Sequence, residues 1–519
     1  MERNKATFRT IYSNDTTNIE TCVSPFHKKN EHFRTEMLDA SISEIANRNV
    51  DVHMLQPGLG WMPFWKSNVY PIERHIQYVK ERFGLLPEDN GFANYMANGG
   101  DIVQLSIDSC KKYSITPFVS MRLNDQHCID LMDLPKGQFP NSLWLCAHPF
   151  HTEHPEWRLG TDFSDWSQRG FDWMIEEVRN YRFSLIREII ENYDIDGFEL
   201  DFMRVFGFFR QDKTTSEQRI NVMIQFVKDV RKLLDDTSSA NKRRWLCVRI
   251  PAYLETHDSL GIDVEKFYEA GVDMFNLSYH FFTEQQGDIR QIRKKLPDAS
   301  VYVEMTNTTQ VGRLEEEPGY DNFAYRRTTP TQFYTTAHLA YSRGIDGVSL
   351  FNFVYYREHG TGKRGEFHEP PFEVLSNLSK PVWLAQQPQH YVLSGGWNDP
   401  KTRDWPLPKL IDKNQVITFS LDMAPPVEGW SKKGKLRIQA EKSLEESFWK
   451  AKLNSIELKQ TIERSEYYES KYKEPENNLS KYIAWDVPVN VLNDGFNEIE
   501  ITMIEGGRAK IVFLDIAIK

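Results

Sequence analysis

Two acidic residues stand close together in the segment Asp196-Gly-Phe-Glu-Leu-Asp-Phe-Met-Arg204. If this segment is a strand, alternation places its apolar side chains on one face and Glu199 and Asp201 on the other. Burying two carboxylates costs several kcal/mol per ion unless each is paired or hydrogen-bonded. We therefore expect both residues to belong to a site where carboxyl groups transfer protons or bind a substrate.

Other short apolar segments place polar side chains on the same inward face. In a βα barrel the reactive groups lie at the C-terminal ends of the strands, so these side chains are expected to converge at one end. A packed core does not need so many polar positions, and their number favours an active site. The inward polar residues are Ser120, Arg122, Asn124, Arg249, Asn276, Ser278, His280, Tyr302, Glu304 and Thr306.

Two carboxyl groups surrounded by hydrogen-bond donors and aromatic side chains are typical of glycoside hydrolysis. In that reaction one carboxyl group protonates the leaving oxygen and the other acts as nucleophile or base. We assign Asp201 as the general acid/base and Glu304 as the nucleophile. Two alternatives stay open, namely the reverse assignment and a role for Glu255 and Asp258.

The inward-facing arginines need anionic partners. Arg122 and Arg249 are expected to pair with Glu199 or Asp201, and Glu199 and Arg249 would then adjust the reacting groups. Purely structural ion pairs are the alternative for each of these residues. Together with Arg204, the same arginines would also suit an anionic substrate such as a sulfated or uronate glycan.

A loop-like segment, 147–157, contains His148, His151 and His154. Three imidazoles so close together raise the alternative of metal-assisted hydrolysis. Prolines interrupt the segment, however, and the spacing is not that of a helical metal site. We favour hydrogen bonding from this loop to a substrate, with Trp157 as a stacking platform, and we expect neither a metal nor a cofactor.

Aromatic residues make up 13% of the chain, including 13 Trp. Trp61, Phe64 and Trp65 follow the second predicted strand. They would either stack against sugar rings or form a lid that packs on itself, and both interpretations stay open.

The elements that position these residues alternate between short apolar strands and longer amphipathic helices, such as 178–192 and 217–234. Alternation of this kind indicates parallel βα units, and eight strands predict a closed (β/α)₈ TIM barrel. No glycine-rich nucleotide-binding motif follows any strand. The predicted strands are 10–14, 52–56, 117–124, 197–203, 246–252, 274–280, 301–306 and 347–353.

The sequence pattern changes after residue 375, where prolines and glycines become frequent and helical periodicity ends. Short strands follow, which predict a C-terminal β-sandwich. We predict a catalytic barrel over 1–375, a linker over 376–395 and a sandwich over 396–519. The turn at 492–497 resembles one in carbohydrate-binding modules, whereas a sandwich that only packs against the barrel is the alternative.

Bulk properties exclude several classes of function. The chain has 519 residues and a net charge of -11, which disfavours nucleic acid as a partner. The five cysteines form no C-x-x-C pair. No apolar run approaches the roughly 18 residues of a membrane span. The start lacks a signal-peptide core, so we expect a periplasmic or secreted location if a leader was removed and a cytoplasmic one otherwise.

The segment Tyr193-Asp-Ile-Asp-Gly-Phe-Glu-Leu-Asp-Phe-Met-Arg204 resembles the Y-D-[VI]-D-G-[IL]-x-[LF]-D-[FY]-x-R signature of the glycosyl-hydrolase-10-like barrel families. Residues 118–127 are similar to their S-x-R-x-N-D-x-H strand end, and His154-Pro-Glu-Trp157 matches a recurring element. The resemblance covers about residues 8–370 and implies a glycosidase-like barrel with a sugar site at its C-terminal face. The residues that carry over are Arg122, Asn124, Asp125, His127, Asp201 and Arg204.

One position departs from this family pattern. Classical family 10 xylanases carry Asn-Glu on the fourth strand, where this chain has Leu200 and Asp201, so xylan specificity does not carry over. The assignment of Glu304 depends on its position in a predicted strand and not on a matched motif.

The expected function is a glycoside hydrolase that cleaves a poly- or oligosaccharide. A non-catalytic carbohydrate-binding barrel and a metal-assisted hydrolase using the histidine loop are the alternatives. The expected catalytic residues are Asp201, Glu304 and Glu199. The expected substrate-binding residues are Arg122, Asn124, Asp125, His127, His154, Trp157, Arg204, Arg249, Asn276, Tyr279, His280, Asn352, Trp61 and Trp65.

Overall fold

The computed structural model of the chain describes residues 5–26, 32–162, 165, 168–203, 207–239, 243–310, 325–357, 368–393, 395, 405–468 and 478–519. The described residues form two compact units. The first unit comprises residues up to 280 together with 291–302, and the second comprises 281–290 and 303–519.

Eight strands close into the barrel that the sequence predicts. Their order around the barrel is β1-β10-β7-β6-β5-β4-β3-β2, and the pairs from β1 to β6 are parallel. The barrel strands are β1 (Thr10–Asp15), β2 (Val52–Gln56), β3 (Thr116–Arg122), β4 (Gly197–Asp201), β5 (Trp245–Pro251), β6 (Met274–Ser278), β7 (Ser300–Thr306) and β10 (Gly347–Phe351). Strands β8 (Thr308–Gln310) and β9 (Tyr325–Arg327) form a separate antiparallel pair.

Helices follow the strands because amphipathic segments can cover the apolar outer face of a parallel barrel. On α8, for example, Val178, Ile186 and Ile190 are all buried. The helices are α1 (Thr16–Thr21), α2 (Thr35–Ser43), α3 (Ile72–Phe83), α4 (Gly91–Ala97), α5 (Ile102–Lys112), α6 (Leu143–Cys146), α7 (Phe150–Glu153), α8 (Glu176–Asn192), α9 (Ser216–Asp236), α10 (Val264–Glu269), α11 (Ile289–Lys295), α12 (Pro330–Ser342), α13 (Leu375–Leu378) and α14 (Pro381–Leu384). No helix in the described ranges combines the length and the apolar character that a membrane span requires.

Two antiparallel sheets form the C-terminal β-sandwich. The first has the order β11-β20-β14-β18-β17, with β12 also paired to β20, and the second has the order β13-β19-β15-β16. One apolar cluster contains residues of both sheets, including Ile438, Trp485 and Ile501. The strands are β11 (Gln389–Leu393), β12 (Lys409–Ile411), β13 (Val416–Met423), β14 (Gly434–Ala440), β15 (Phe448–Leu453), β16 (Ile456–Glu457), β17 (Lys459–Thr461), β18 (Tyr482–Val487), β19 (Gly495–Glu505) and β20 (Ala509–Ile518).

The segment predicted as a linker, 376–395, contains regular structure. It includes α14 and most of α13, and β11 pairs antiparallel with β20 from Gln389 to Leu393. All five residues of β11 are buried. Because β11 pairs with β20, the first strand of the sandwich begins before residue 396. This pairing satisfies the backbone hydrogen-bonding groups of a buried strand.

Candidate active site

Side-chain alternation divides the interior of the first unit into an apolar floor and a polar layer. The floor packs Ile11, Met54, Phe118, Cys247 and Met274 against one another. The same strands continue toward their C-terminal ends with polar residues at every second position. The register places Ser120 beside Glu199, Arg122 beside Asp201 and Asp201 beside Arg249.

Asp201 ends β4 with its carboxylate surrounded by donors. Arg249 Nη1 lies 3.2 Å from Oδ1 and 3.1 Å from Oδ2. Gln56 Nε2 donates to Oδ2 at 3.2 Å, and the Met203 backbone N–H donates to Oδ1 at 2.8 Å. Together these donors fix the position of the Asp201 carboxyl group at the end of β4, and its role as general acid/base stays a prediction.

Arg122 joins three strand ends. Its Nη2 donates to Asp15 Oδ2 at 3.0 Å and to Gln56 Oε1 at 2.7 Å, and its Nη1 donates to Asp125 Oδ2 at 3.2 Å. Burial would lower the pKa of Arg122, but the charges of Asp125, Asp15 and Asp201 outweigh burial and raise it. The expected pairing of Arg249 with Asp201 is present, whereas Arg122 pairs with Asp15 and Asp125 instead.

Glu199 lies one residue pair deeper in the barrel than Asp201 and is fully buried. Ser120 donates to its Oε1 at 2.7 Å, and Asn276 Nδ2 and Cys247 Sγ lie 3.3 Å from its Oε2. Burial and the neighbouring Glu199 hold the pKa of Cys247 well above its usual range. These contacts place Glu199 and Asn276 beneath Asp201, in the wall of the site.

Asn124 supports loop backbone. Its Nδ2 donates to the carbonyls of Phe171 and Gly207 at 2.8 and 2.6 Å, and its Oδ1 accepts from Phe171 N–H at 3.1 Å. The amide of Asn124 therefore holds loop backbone in place, and its role in substrate binding stays a prediction.

Asp125 and His127 form a close pair directly after β3. The His127 backbone N–H donates to Asp125 Oδ1 at 2.9 Å, and the His127 ring Nδ1 makes a short contact with the same oxygen. Burial opposes ionisation of Asp125, yet His127 and Arg122 outweigh it and hold the pKa of that carboxyl well below its usual range.

Trp61 and Trp65 are not available for sugar stacking. Trp61 is fully buried beneath Phe171, with the Arg182 guanidinium 3.9 Å from its ring centroid. Trp65 is also buried and donates to Glu188 Oε2 at 2.8 Å. Both rings are packed inside the protein, which favours the interpretation of a loop that packs on itself over that of a sugar-stacking site.

The three histidines of the 147–157 loop do not converge. Burial is the main reason that the pKa of His148 lies well below its usual range, and Tyr181 Oη lies 2.9 Å from its Nε2. His151 stacks on Phe171 and has a pKa lowered by burial to about 3. Within the described ranges no group of three or more His, Cys, Asp or Glu side chains is arranged to bind a metal, so the metal-assisted alternative has no donor set there.

His154 and Trp157 form a stacked pair at the surface. Their ring centroids are 3.7 Å apart with 5° between the planes, and both side chains are partly exposed. Glu156 Oε1 lies 3.2 Å from His154 Nδ1. The predicted role of Trp157 as a stacking platform for a substrate stays a prediction.

Residues after β6 are buried around Arg249. Arg249 Nη2 donates to Ser278 Oγ at 3.1 Å and to the His280 carbonyl at 3.4 Å. Tyr279 packs edge to face against Tyr253, with ring centroids 5.6 Å apart. His280 has a positive φ of 70°, which turns the chain directly after the strand.

The remaining predicted residues lie elsewhere or outside the described part. Glu304 on β7 and Asn352 after β10 are both buried and belong to the second unit; the pairing of Glu304 with Asp201 stays a prediction. Arg204 lies outside the described residues. Asp258 pairs with Arg219 at 2.5 Å and Glu255 is exposed, so neither contributes to the buried layer.

Sequence reasoning missed two members of the network, Asp15 and Gln56. Both are buried final residues of their strands, and the register places them opposite each other. The alternation that identified Arg122 and Asp201 would have found them if it had been applied to the first two strands and if β1 had been extended by one residue.

No protein-family model and no curated protein matches the chain. Among solved structures, it is similar to alpha-L-fucosidase isoenzyme 2 from Paenibacillus thiaminolyticus, with 10% identity, a TM-score of 0.41, and coverage of 73% of this chain but only 49% of that one. A putative alpha-L-fucosidase from Bacteroides thetaiotaomicron has 11% identity and a TM-score of 0.37, with 98% and 96% covered. The Group II chitinase catalytic domain 2 of Ostrinia furnacalis has 8% identity and a TM-score of 0.41, with 72% and 97% covered. Likenesses this distant carry no argument about activity.

Proposed function

We propose that the protein is a glycoside hydrolase with Asp201 as its charged carboxylate. The observation that carries this proposal is the position of Asp201 at the C-terminal end of β4, where Arg249, Gln56 and a backbone N–H all donate to it. A preorganised charge of this kind is suited to an oxocarbenium-like transition state. Glu304 remains the proposed second carboxyl group.

The charge of the polar layer favours an uncharged or cationic sugar over an anionic one. Both described arginines of the layer are paired with carboxylates. Four acids and two arginines give this layer a formal charge of minus two before His127 is counted, which disfavours uronates and sulfate esters. These six residues are Asp15, Asp125, Glu199, Asp201, Arg122 and Arg249.

The test is hydrolysis of a panel of aryl glycosides and oligosaccharides, including matched glucoside and glucuronide pairs. We expect cleavage of a neutral or amino sugar, and Asp201→Asn and Glu304→Gln should each lower kcat/KM by about a hundredfold or more. Asp39→Asn, which removes a carboxylate paired with Lys112 near the surface, is the matched control. Full activity of both variants, with melting temperatures unchanged, would falsify the assignment.

A sugar-binding barrel without catalysis is the second candidate. Asp201 and Arg249 are 0% and 1% exposed, which also suits a structural ion pair beneath a binding surface. Binding of a glycan by calorimetry without any hydrolysis over the panel would favour this candidate.

A further inference from the structure

Two of the five free cysteines lie against each other in the first unit. Cys128 belongs to the segment that follows β3, and Cys146 is the last residue of α6. Their thiol groups are in hydrogen-bonding contact. Cys128 also packs against the apolar cluster that contains Leu143 and Ala147, the neighbours of Cys146 along the chain. Packing and hydrogen bonding therefore hold the two sulfur atoms together.

The two thiols differ in their access to solvent. Cys128 is partly exposed, whereas Cys146 is only 1% exposed. The Cys146 Sγ lies 3.2 Å from the carbonyl oxygen of Ser142, which keeps it on the inner side of the pair. A small reagent that arrives from water therefore meets Cys128 first, with Cys146 behind it.

The pKa values of the two thiols are shifted in opposite directions. The hydrogen bond with Cys146 is the largest influence on Cys128 and, together with one from Ser142, it outweighs burial and lowers the pKa of Cys128. Burial is the main reason that the pKa of Cys146 lies well above its usual range, and Cys128 adds to this increase. Because the thiolate is the reactive form of cysteine, the accessible thiol of the pair is also the more reactive one.

We propose that Cys128 and Cys146 are a redox-active dithiol that closes to a disulfide on contact with hydrogen peroxide. The Cys128 sulfur attacks one peroxide oxygen, the O–O bond breaks, and the other oxygen leaves as water with the thiol proton, so that Cys128 becomes a sulfenic acid. The Cys146 sulfur then attacks Cys128, the S–S bond forms, and the S–O bond breaks with loss of a second water. The two sulfurs together lose two electrons, which the peroxide gains. This inference does not depend on the glycosidase proposal.

Two other thiols of the same chain provide an internal comparison. Cys110 and Cys247 are both fully buried. Burial is the main reason that the pKa of Cys110 is raised to about 12 and that of Cys247 lies well above its usual range. The Cys247 Sγ lies 3.3 Å from Glu199 Oε2, a carboxylate oxygen. Buried thiols that stay protonated are poor nucleophiles, so both should remain reduced while the dithiol is oxidised.

Peptide mapping of the full-length wild type tests the proposal. Trypsin cleaves after Arg122, Lys136 and Arg158, which places the two cysteines in separate peptides, 123–136 and 137–158. The reduced protein is treated with a small excess of hydrogen peroxide, unfolded in denaturant with iodoacetamide, and digested for mass spectrometry. We expect two of the five thiols to escape alkylation and a cross-linked pair of these peptides that dithiothreitol separates.

Single variants separate the two steps of the reaction. Cys146→Ser should stop at the sulfenic acid, which dimedone captures on peptide 123–136, whereas Cys128→Ser should lose no thiol. Cys110→Ser is the matched control and should form the cross-linked peptides as the wild type does. Circular dichroism checks that each variant is folded.

The wild-type map decides the proposal even if a variant fails to fold. It is overturned if the treated protein keeps all five thiols, or if peptide 123–136 is linked to a peptide other than 137–158. Oxidation of Cys110 to the same extent as Cys128 also overturns it, because the peroxide would then not distinguish the dithiol from a buried thiol.

Discussion

Buried carboxyl groups in this chain differ in how their charge is stabilised. Asp201 accepts hydrogen bonds from two side chains and a backbone N–H. Glu20, on α1, is partly buried, and this burial raises its pKa to about 7. The first arrangement stabilises a negative charge inside the protein, whereas the second makes ionisation costly near neutral pH.

Replacing Glu20 by Gln is expected to stabilise the protein at high pH only. The folded pKa of about 7 exceeds the ordinary value of 4.5, so the carboxyl carries no penalty below pH 4.5, and the penalty grows as pH rises to 7. At pH 8 the free energy of unfolding should rise by as much as about 3 kcal/mol. Urea unfolding at pH 4 and pH 8 measures the difference, with Glu36→Gln on α2 as the exposed control. An equal change at both pH values would contradict the burial argument.

The alternation of side chains along the strands was enough to predict several pairs of neighbouring side chains, including Arg249 beside Asp201. It did not predict the partners of Arg122, because Asp15 and Gln56 come from strands whose inward residues were not assigned. It also gave no measure of loop burial. Trp61 and Trp65 therefore remained ambiguous until their contacts with Phe171, Arg182 and Glu188 were known.

Local sequence signals of unequal strength determine where the helices and strands begin and end. Helix α9 begins after Thr215, whose side chain accepts from the Gln218 N–H at 3.2 Å, while Gln218 Oε1 accepts from the Thr215 N–H at 2.9 Å. This capping box satisfies two backbone donors that the first turn leaves open. The predicted strands β3 to β6 extended one or two residues beyond the observed ends. After β3 and β6, the polar residues Asn124 and His280 continue the alternation beyond the last paired residue.

Loss of the cap should weaken α9 by a defined amount. Thr215→Ala is expected to lower the free energy of unfolding by about 1 kcal/mol, whereas Thr215→Ser keeps the hydroxyl and should cost only a few tenths. Equilibrium unfolding in urea compares the two variants with the wild type. If both cost the same, the hydroxyl contributes nothing and the stabilisation comes from the threonine methyl group.

In the whole molecule, one compact unit contains the sandwich strands together with late elements of the barrel. Strand β10, helix α12 and the residues after β6 cluster with the sandwich. Arg343, which directly follows α12, donates to Asp422 on β13 at 2.9 and 2.7 Å, and His338 on α12 contacts the carbonyl of Ala424 at 3.2 Å. Composition located the change in sequence character near residue 375, but it carries no information about long-range contacts of this kind.

A truncated variant that contains only residues 1–388 is therefore not expected to fold as an independent barrel. It would leave Arg343 and Arg290 without the carboxylate of Asp422 and Gln285 without the backbone of β11. A buried charge that loses its partner costs about 3 to 5 kcal/mol, a large part of a typical domain stability. Size-exclusion chromatography and circular dichroism should show aggregation or loss of cooperative melting. Asp422→Asn in the full chain, which removes the charge and keeps the sandwich, should elute as the wild type does, with a lower melting temperature. A 1–388 chain that elutes without aggregation and melts cooperatively would show that the contacts of α12 with the sandwich are dispensable.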